Sequence, residues 1–218
     1  HPINNTEKTR SGGGTMQNDL KIPIGKLLRA DASSFVAGCR VHELEAPALG
    51  ALVKVKLRDG AETYGLISNI TIQDDGLVRQ IASRGTLSPE YEADNRYNRN
   101  LPVEIFVLTI GYCQAGKLFH RLPPRPPFSL DALWLCDEQE LCEFTDNPAY
   151  LRHILRVQDQ PLEELLVSHL AQAKAAHEAR NPETDWYARA CKALIVYLRD
   201  DYETMARVLN ALGELETK

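Results

Sequence analysis

The stretch Leu101–Pro127 constrains the fold more than any other part of the sequence, because it contains the longest run of β-favouring residues. Alternate side chains along a strand point to opposite faces of the sheet. Val103, Ile105 and Val107 share one face. The other face is also apolar and carries Phe106, Leu108, Ile110 and Tyr112. We therefore predict a strand that protein covers on both sides.

The same stretch predicts a hairpin with an abrupt end. Gln114-Ala115-Gly116 offers a tight turn, and Lys117–Leu122 has the composition of a returning strand. Prolines 123, 124, 126 and 127 follow at once. Proline has no backbone N–H to donate to a sheet, so we expect the sheet to stop there.

Further short strands flank this hairpin. In Ala51–Arg58 apolar residues alternate with basic ones, and the following Asp59-Gly60 favours a type I′ turn into a partner strand, Tyr64–Ile72. The remaining predicted strands are Ile22–Ala30, Phe35–Val41, Leu77–Ala82 and Ala132–Cys136. Because no helical segment separates these strands, they predict a small, closed, antiparallel barrel of six or so strands.

The apolar period becomes helical beyond Asp137. We predict a short helix over Glu138–Phe144, one capped by Asn147-Pro148, one starting at Pro161, one capped by Asn181-Pro182, and a last one capped by Asp200 or Asp201. The expected fold class is therefore α+β. Residues 1–15 are expected to be a disordered expression remnant, 16–137 a six-stranded β-barrel, and 138–218 an α-helical bundle.

Composition limits the classes of function. The chain has 218 residues and a net charge of −5, so a globally basic nucleic-acid binder is not expected. No apolar run reaches the ~18 residues of a transmembrane helix, so we expect no membrane partner. The five cysteines are odd in number and widely spread, which indicates reduced thiols in a cytoplasmic protein.

Two groups of basic residues are candidate contacts for a partner. The first lies on and after the hairpin: Lys117, His120, Arg121 and Arg125. The second lies in the long polar segment Ser83–Asn100, where Arg84, Arg96 and Arg99 accompany Tyr91 and Tyr97. Basic and aromatic side chains together can follow a phosphate backbone and stack on bases. Alternating strands also expose basic residues without any function, so a plain surface or a protein contact is the competing interpretation.

Catalytic and metal-binding patterns are weak. Cys136 and Cys142 have no further Cys or His at metal-ligand spacing, which favours buried thiols. His169 and His177 lie ~12 Å apart along one helix, too far to share a metal ion, and are expected in the core or at its boundary. Cys113 could face His120 across the hairpin, but a nucleophile pair is a minor alternative there. We predict no catalytic, cofactor or metal site.

The order of the barrel motifs resembles a known family. Ile24-Gly25-Lys26-Leu27-Leu28 is followed by Ala51–Arg58, Asp59-Gly60, Tyr64-Gly65-Leu66-Ile67, a strand beginning Pro102-Val103-Glu104-Ile105, and the proline-rich exit. This arrangement is similar to the HAS-barrel, the N-terminal barrel of HerA-type DNA-translocating ATPases, which is related to the N-terminal barrel of the ATP synthase α and β subunits. The resemblance covers roughly residues 21–145.

The ATPase core of that family has no counterpart here. A phosphate-binding loop needs G-x-x-x-x-G-K-[ST], but the Gly-Lys pairs at Lys26 and Lys117 are each followed by leucine instead of serine or threonine, and both lie on predicted strand or hairpin positions. We therefore expect no nucleotide and no ATP hydrolysis, and carry over none of the family's catalytic residues. What the resemblance implies is a barrel that packs in a ring or docks a partner.

Three functions remain open from the sequence. The leading one is a non-enzymatic barrel module for protein–protein assembly, or an adaptor, with a protein partner or self-association. The alternative is an auxiliary nucleic-acid-binding protein associated with a HerA-like translocase or nuclease. A small-molecule-binding barrel is the third, for which the sequence offers no group of polar residues.

Overall fold

The computed structural model describes residues 23–41, 47–72, 101–157 and 160–215. The predicted expression remnant 1–15, the predicted strand Leu77–Ala82 and the long polar segment Ser83–Asn100 lie outside these ranges. The described strands are β1 (Gly25–Ala30), β2 (Ser34–Val41), β3 (Leu52–Lys56), β4 (Glu62–Ile72), β5 (Leu101–Gln114), β6 (Lys117–Phe119) and β7 (Ala132–Leu135).

Six of these strands close into an antiparallel barrel. Hydrogen bonds link them in the order β2-β1-β7-β3-β4-β5, and β5 pairs back with β2 to complete the ring. Among the described strands, β6 pairs with β5 alone and continues the hairpin beyond the ring. The predicted barrel is therefore confirmed. A closed ring leaves no unpaired edge, which removes the usual hazard of edge-to-edge association between sheets.

Strand β5 is covered on both faces, as its alternation predicts. Val103, Ile105 and Val107 point into the barrel and belong to its apolar core, while Ile110 belongs to a second core that the helices form. All six strands of the ring, and the residue before β3, contribute apolar side chains to the barrel core: Leu27, Phe35, Ala37, Ala51, Val53, Val55, Ile67, Val103, Ile105, Val107 and Leu133.

The hairpin turns differ in part from prediction. The type I′ geometry occurs at Ala115-Gly116, where both residues have positive φ, 50° and 72°. The Asp59-Gly60 turn was predicted as type I′, and this is wrong because only Gly60 has the positive φ that both positions require. Strand β6 also stops at Phe119, three residues earlier than predicted. The carbonyl of His120 accepts hydrogen bonds from helical side chains instead of continuing the sheet.

The helical part follows β7 directly. Its elements are α1 (Glu138–Thr145), a 3₁₀ turn (Pro148–Tyr150) that continues into α2 (Leu151–Ile154), α3 (Leu162–Arg180), α4 (Trp186–Tyr197) and α5 (Tyr202–Gly213). Asp137 and Glu140 form a reciprocal capping box at α1, and Asp201 caps α5 as predicted. None of the helices in the described ranges is long and apolar enough to cross a membrane.

Helix α4 corrects two predictions. Asn181 was expected to cap it, but Asn181 ends α3 by donating its N–H to the carbonyl of His177, and its side chain accepts from Glu183 in the turn that follows. Helix α4 therefore begins at Trp186, whose ring is buried. The helical period of this segment also predicts that Tyr197 faces the core, but it is 40% exposed, because the buried face of α4 follows Trp186, Ala190 and Leu194.

The helices pack on the outer face of the barrel. Leu52, Leu66 and Ile110 from β3, β4 and β5 join the helical side chains in one apolar cluster. At Gly50 the contact involves the backbone itself: φ is +75°, and an added Cβ would lie 2.6 Å from the backbone nitrogen of His169. Only glycine satisfies both conditions, so this position fixes how closely α3 approaches the barrel.

Candidate functional site

The β5–β6 hairpin carries a compact basic and aromatic group. The rings of Tyr112 and Phe119 stack with their centroids 4.9 Å apart. The Arg121 guanidinium lies 4.8 Å from the Phe119 centroid and donates to the Tyr112 hydroxyl oxygen at 2.9 Å. The Lys117 ammonium lies 5.4 Å from the same Phe119 centroid. The two predicted cations therefore cover the aromatic surface at this hairpin.

His120 is separated from this group by strand alternation. Its ring faces the helices, where Nε2 lies 2.9 Å from the carbonyl oxygen of Phe144. Its own carbonyl accepts from Arg152 and from Nε2–H of His153. Burial lowers the pKa of His120, which keeps the ring neutral at pH 7. The structure thus gives His120 a part in the barrel–helix contact.

Arg125 lies at a small cavity rather than in the stacked group. The cavity, of about 240 Å³, is bounded by the hairpin ends and by the proline exit, including Tyr112 and Pro124. Thr63 lines it too, and its buried hydroxyl has no hydrogen-bond partner in the described part of the chain. Three other predicted contacts, Arg84, Arg96 and Arg99, lie outside the described residues.

The hairpin cations have no acidic partner among the described residues. Lys117, Arg121 and Arg125 are exposed, and no described carboxylate lies within ion-pair distance of any of them. A chain with a net charge of −5 therefore presents three cations along one hairpin and its exit. Such a group attracts an anionic partner through its charge.

The thiols of Cys113 and Cys142 favour their protonated form. Burial raises the pKa of Cys113, and the nearby Glu62 carboxylate raises it further. Burial likewise raises the pKa of Cys142. Since the thiolate is the reactive and metal-binding form, neither environment activates the sulfur. Across the described ranges, no group of three or more His, Cys, Asp or Glu side chains is arranged to hold a metal ion.

A partly buried ion cluster, in which Lys54 is the buried member, joins the barrel to the first helix. The Lys54 ammonium lies 2.8 Å from Glu62 Oε1 and 2.7 Å from Glu140 Oε1, and the Tyr64 hydroxyl donates to the other Glu62 oxygen at 2.8 Å. Burial opposes the charge on Lys54, but the hydrogen bonds and charges of both glutamates outweigh it and raise its pKa. Burial also opposes ionisation of Glu62, and the bonds from Lys54 and Tyr64 outweigh it and lower its pKa.

The two histidines of α3 are core residues, as predicted. His169 is 0% exposed; Nδ1–H donates to the Gly50 carbonyl at 2.9 Å, and Nε2 accepts from the Tyr150 hydroxyl at 2.9 Å. Burial lowers the pKa of His169 to about 4. His177 stacks on Trp186 with centroids 4.5 Å apart. Both rings hold helices in place.

The exposed apolar side chains of the loop that leads into β7 were not predicted from the sequence. Phe128 and Leu130 are 70% and 71% exposed, and Leu28 on the neighbouring strand β1 is also exposed. We call Phe128–Asp131 the apolar loop. A four-residue segment with Ser129 and Asp131 resembles any polar turn in sequence, so only the structure reveals which side chains face solvent.

No protein-family model matches the sequence, and no curated protein matches it at a significant level.

Proposed function

We propose that this chain is a barrel module of the HAS-barrel type that acts without a catalytic site, through protein contacts, as an assembly or adaptor protein. The observation that carries the proposal is the apolar loop, which exposes two large apolar side chains on a rigid backbone. The closed six-stranded ring supports the resemblance. The six strands of the ring have no free edge for strand addition, and among the described strands only the short β6 has an unpaired side, so side chains and loops are the main surface for a partner.

The backbone of the apolar loop is under strain. Asp131 N–H donates to the Phe128 carbonyl, which closes a four-residue turn, and Leu130 in its third position has a φ of 70°. Turns of this shape favour glycine or asparagine there. A leucine in the left-handed region costs ~1–2 kcal/mol. A strained residue with an exposed apolar side chain points to a function for that side chain.

The loop is also fixed to strand β1. Leu130 N–H donates to the Leu27 carbonyl at 2.8 Å, and Leu27 N–H donates back to the Asp131 carbonyl at 2.9 Å. The Ser129 hydroxyl donates to the Leu28 carbonyl at 3.1 Å. A partner that buries the loop would therefore have little backbone to immobilise, and pre-organised apolar anchors contribute strongly to interfaces.

Substitution of Leu130 by asparagine distinguishes a role in partner contact from a role in folding stability. Leu130→Asn removes the apolar side chain but suits the left-handed backbone. We expect unfolding free energy to rise by ~1 kcal/mol while association weakens at least about tenfold. Sedimentation velocity over a concentration series measures self-association, and quantitative capture from the native host measures a partner.

The matched control is Tyr202→Ser, which removes a 76% exposed aromatic side chain at the start of α5. It should leave the association that Leu130→Asn weakens unchanged. If the wild-type protein stays monomeric and captures nothing specifically, the proposal fails. If the wild-type protein and Leu130→Asn associate equally well, the apolar loop is not the contact surface.

The hairpin cations favour a second candidate, an auxiliary nucleic-acid-binding protein associated with a HerA-like translocase or nuclease. Because Arg121 and Lys117 already cover the rings of Tyr112 and Phe119, contact with phosphates fits this surface better than base stacking. Fluorescence anisotropy with single- and double-stranded DNA at low salt tests this. A triple variant with Lys117→Gln, Arg121→Gln and Arg125→Gln should bind with a weaker salt dependence. The slope of the logarithm of the binding constant against the logarithm of the salt concentration should become shallower by about one unit for each lost phosphate contact. Absence of binding at low salt eliminates this candidate.

A further inference from the structure

The outer surface of β1 and β7 lies beside the apolar loop and outside the helical core. That core draws its barrel side chains from β3, β4, β5 and β6, and none of its described members lies on β1 or β7. On β7, Leu133 points into the barrel, so Ala132 and Trp134 point outward, where both are half-buried. The exposed Leu130 precedes them by one further step of two residues. We call Leu130, Ala132 and Trp134 the outer row, which is ~13 Å long at the usual rise of a strand.

An exposed lysine flanks the outer row on each side. Lys26 on β1 pairs with Ala132 in the sheet. Lys56 on β3 holds the matching position on the other side of the row, because its neighbour Val55 pairs with Leu133. Neighbouring strands lie ~4.8 Å apart, so the backbones of the two lysines are separated by ~10 Å. An apolar row with a cation on either side is therefore built into three adjacent strands of the barrel.

These two lysines form no ion pair with a carboxylate in the described part of the chain. Glu62 lies opposite Lys56 on β4. Its two carboxylate oxygens are already engaged, one by Lys54 and the other by the Tyr64 hydroxyl. The Lys56 ammonium lies instead over the Trp134 ring, 5.5 Å from the centroid. Both flanking charges are thus left for an acidic group from another molecule.

The apolar surface continues from the outer row over the apolar loop. Phe128 is 70% exposed, and Leu28 on β1 is 47% exposed. Leu28 lies beside Leu130, whose N–H donates to the carbonyl of the adjacent Leu27. The acid of the apolar loop, Asp131, accepts from the Phe128 N–H and so serves the turn itself. The whole surface combines an apolar centre with basic flanks.

We propose that this surface binds an amphipathic helix of a partner protein, whose apolar stripe is flanked on both sides by aspartate or glutamate. The inference rests on the proposed function, because it names the partner of the apolar loop. A helix is about 10–12 Å wide, which suits the ~10 Å between Lys26 and Lys56. Apolar side chains at i, i+3, i+4 and i+7 span ~10.5 Å and cover the outer row.

The chain already holds one of its own helices on the barrel in this manner. Lys54 lies on β3, next to the outer row, and pairs with Glu140 in the first turn of α1 at 2.7 Å. Opposite charges across an interface fix orientation and exclude partners of the wrong sign. The basic flanks of the outer row therefore favour an acidic helix over a basic one.

Three synthetic peptides test this chemistry. Each carries leucine at the i, i+3, i+4 and i+7 spacing; glutamate flanks the stripe in the first, lysine flanks it in the second, and the third is the glutamate peptide with a central proline that breaks the helix. Fluorescence anisotropy should show saturable binding of the glutamate peptide with a dissociation constant below about 1 mM. The other two should bind at least about tenfold more weakly. The proposal is overturned if the glutamate peptide does not saturate, or if either of the others binds equally well.

Variants then locate the binding surface. Lys26→Gln combined with Lys56→Gln should weaken binding of the glutamate peptide about three- to tenfold and make it less sensitive to salt. The matched control, Lys192→Gln combined with Arg199→Gln, removes two exposed cations from the end of α4 and should leave the affinity unchanged. Equal affinity in the two double variants overturns the assignment.

Leu130→Asn distinguishes a failure of this inference from a failure of the proposed function. Both Leu130→Asn and the double variant at Lys26 and Lys56 should weaken peptide binding and the association with a protein partner. If Leu130→Asn weakens the association and the double variant does not, the apolar loop remains a contact surface and the acidic helix is not its partner. If neither variant weakens the association, the proposed function loses this surface as well.

Discussion

The two cores of this molecule are built on different chemistry. The described side chains that fill the barrel interior are mainly apolar. The core between the barrel and the helices is also mainly apolar, but hydrogen-bonded polar groups surround it. His169 bridges Tyr150 and the Gly50 carbonyl, and Trp186 donates to the Thr145 carbonyl at 2.8 Å. Backbone hydrogen bonds between neighbouring strands already fix the barrel, so its interior needs only to be filled.

This difference between the two cores explains how the helices are positioned on the barrel. Apolar burial is roughly proportional to area and has little directional preference, so it would let a helix slide on the barrel. Buried hydrogen bonds tolerate only one arrangement, because a shift leaves polar atoms unpaired. The Lys54 cluster does the same for α1, since it joins Glu62 on β4 to Glu140 at the helix N-terminus. We infer that polar groups specify the position of the helices on the barrel.

The largest expected effects come from adjacent residues on β4. Leu66 and Ile67 are both 0% exposed, but Leu66 belongs to the helical core and Ile67 to the barrel interior. Each change to alanine should lower the free energy of unfolding by about 2–5 kcal/mol. Hydrogen exchange should separate them: Leu66→Ala increases exchange first in the helices, and Ile67→Ala increases it throughout the barrel.

Leu57→Ala is the control. Leu57 directly follows β3 and its side chain is only partly buried, so we expect a smaller loss of stability. Identical exchange patterns in Leu66→Ala and Ile67→Ala would contradict the comparison. The two cores would then unfold as one cooperative unit, and the distinction would concern composition alone.

Periodicity predicted the barrel well and the polar contacts poorly. Alternation in β5 placed Val103, Ile105 and Val107 on one face, because the period of a strand is a local property. The same alternation put Lys54 on the outer face, where a lysine normally meets water. It is buried because Glu140 and α1 cover that face, which is a contact between segments far apart in sequence. Local patterns carry no information about such a pairing.

The candidate sites, too, were predictable from the sequence only where local patterns determine them. The hairpin cations could be named from the sequence, and alternation could have separated His120 from Lys117 and Arg121. The strain at Leu130 depends on a single φ angle, which neither spacing nor composition predicts. The start of α4 was misplaced because Asn181 fits both a helix end and a helix start.

The next effect tests the partly buried ion cluster. Lys54→Ala leaves the Glu62 and Glu140 carboxylates close together without a cation. We expect a loss of about 3 kcal/mol in the free energy of unfolding, since breaking a buried pair strands the remaining charges. Chemical denaturation at pH 7 measures the loss.

The control for this cluster replaces all three charges, as Lys54→Met with Glu62→Gln and Glu140→Gln. It removes the charged groups together, so most of the stability lost in Lys54→Ala should return. If Lys54→Ala alone is within about 0.5 kcal/mol of the wild-type protein, the cluster behaves as a surface pair and does not hold α1 to the barrel.

The smallest effect concerns pH and His169. Burial lowers its pKa from 6.5 to about 4, so the folded protein favours the neutral ring. The unfolded chain therefore binds a proton first as the pH falls. The contribution of the neutral His169 ring to stability is fully present above pH 6.5 and declines as the pH falls. It is lost once the pH passes the folded pKa of about 4. Between pH 7 and pH 5 this single group should remove about 2 kcal/mol of stability.

Denaturation curves across this range should be compared for the wild-type protein, His169→Gln and Tyr150→Phe. His169→Gln removes the titrating ring, so its stability should fall less steeply with acid. Tyr150→Phe keeps the buried ring and removes only the hydroxyl that donates to it. Its curve should lie lower at all pH values yet retain a steep fall. Because His120, His153 and His177 also have pKa values lowered by burial, some pH dependence must remain in every variant. An unchanged slope in His169→Gln would show that His169 is not buried in its neutral form, and would remove it from the contacts that position α3.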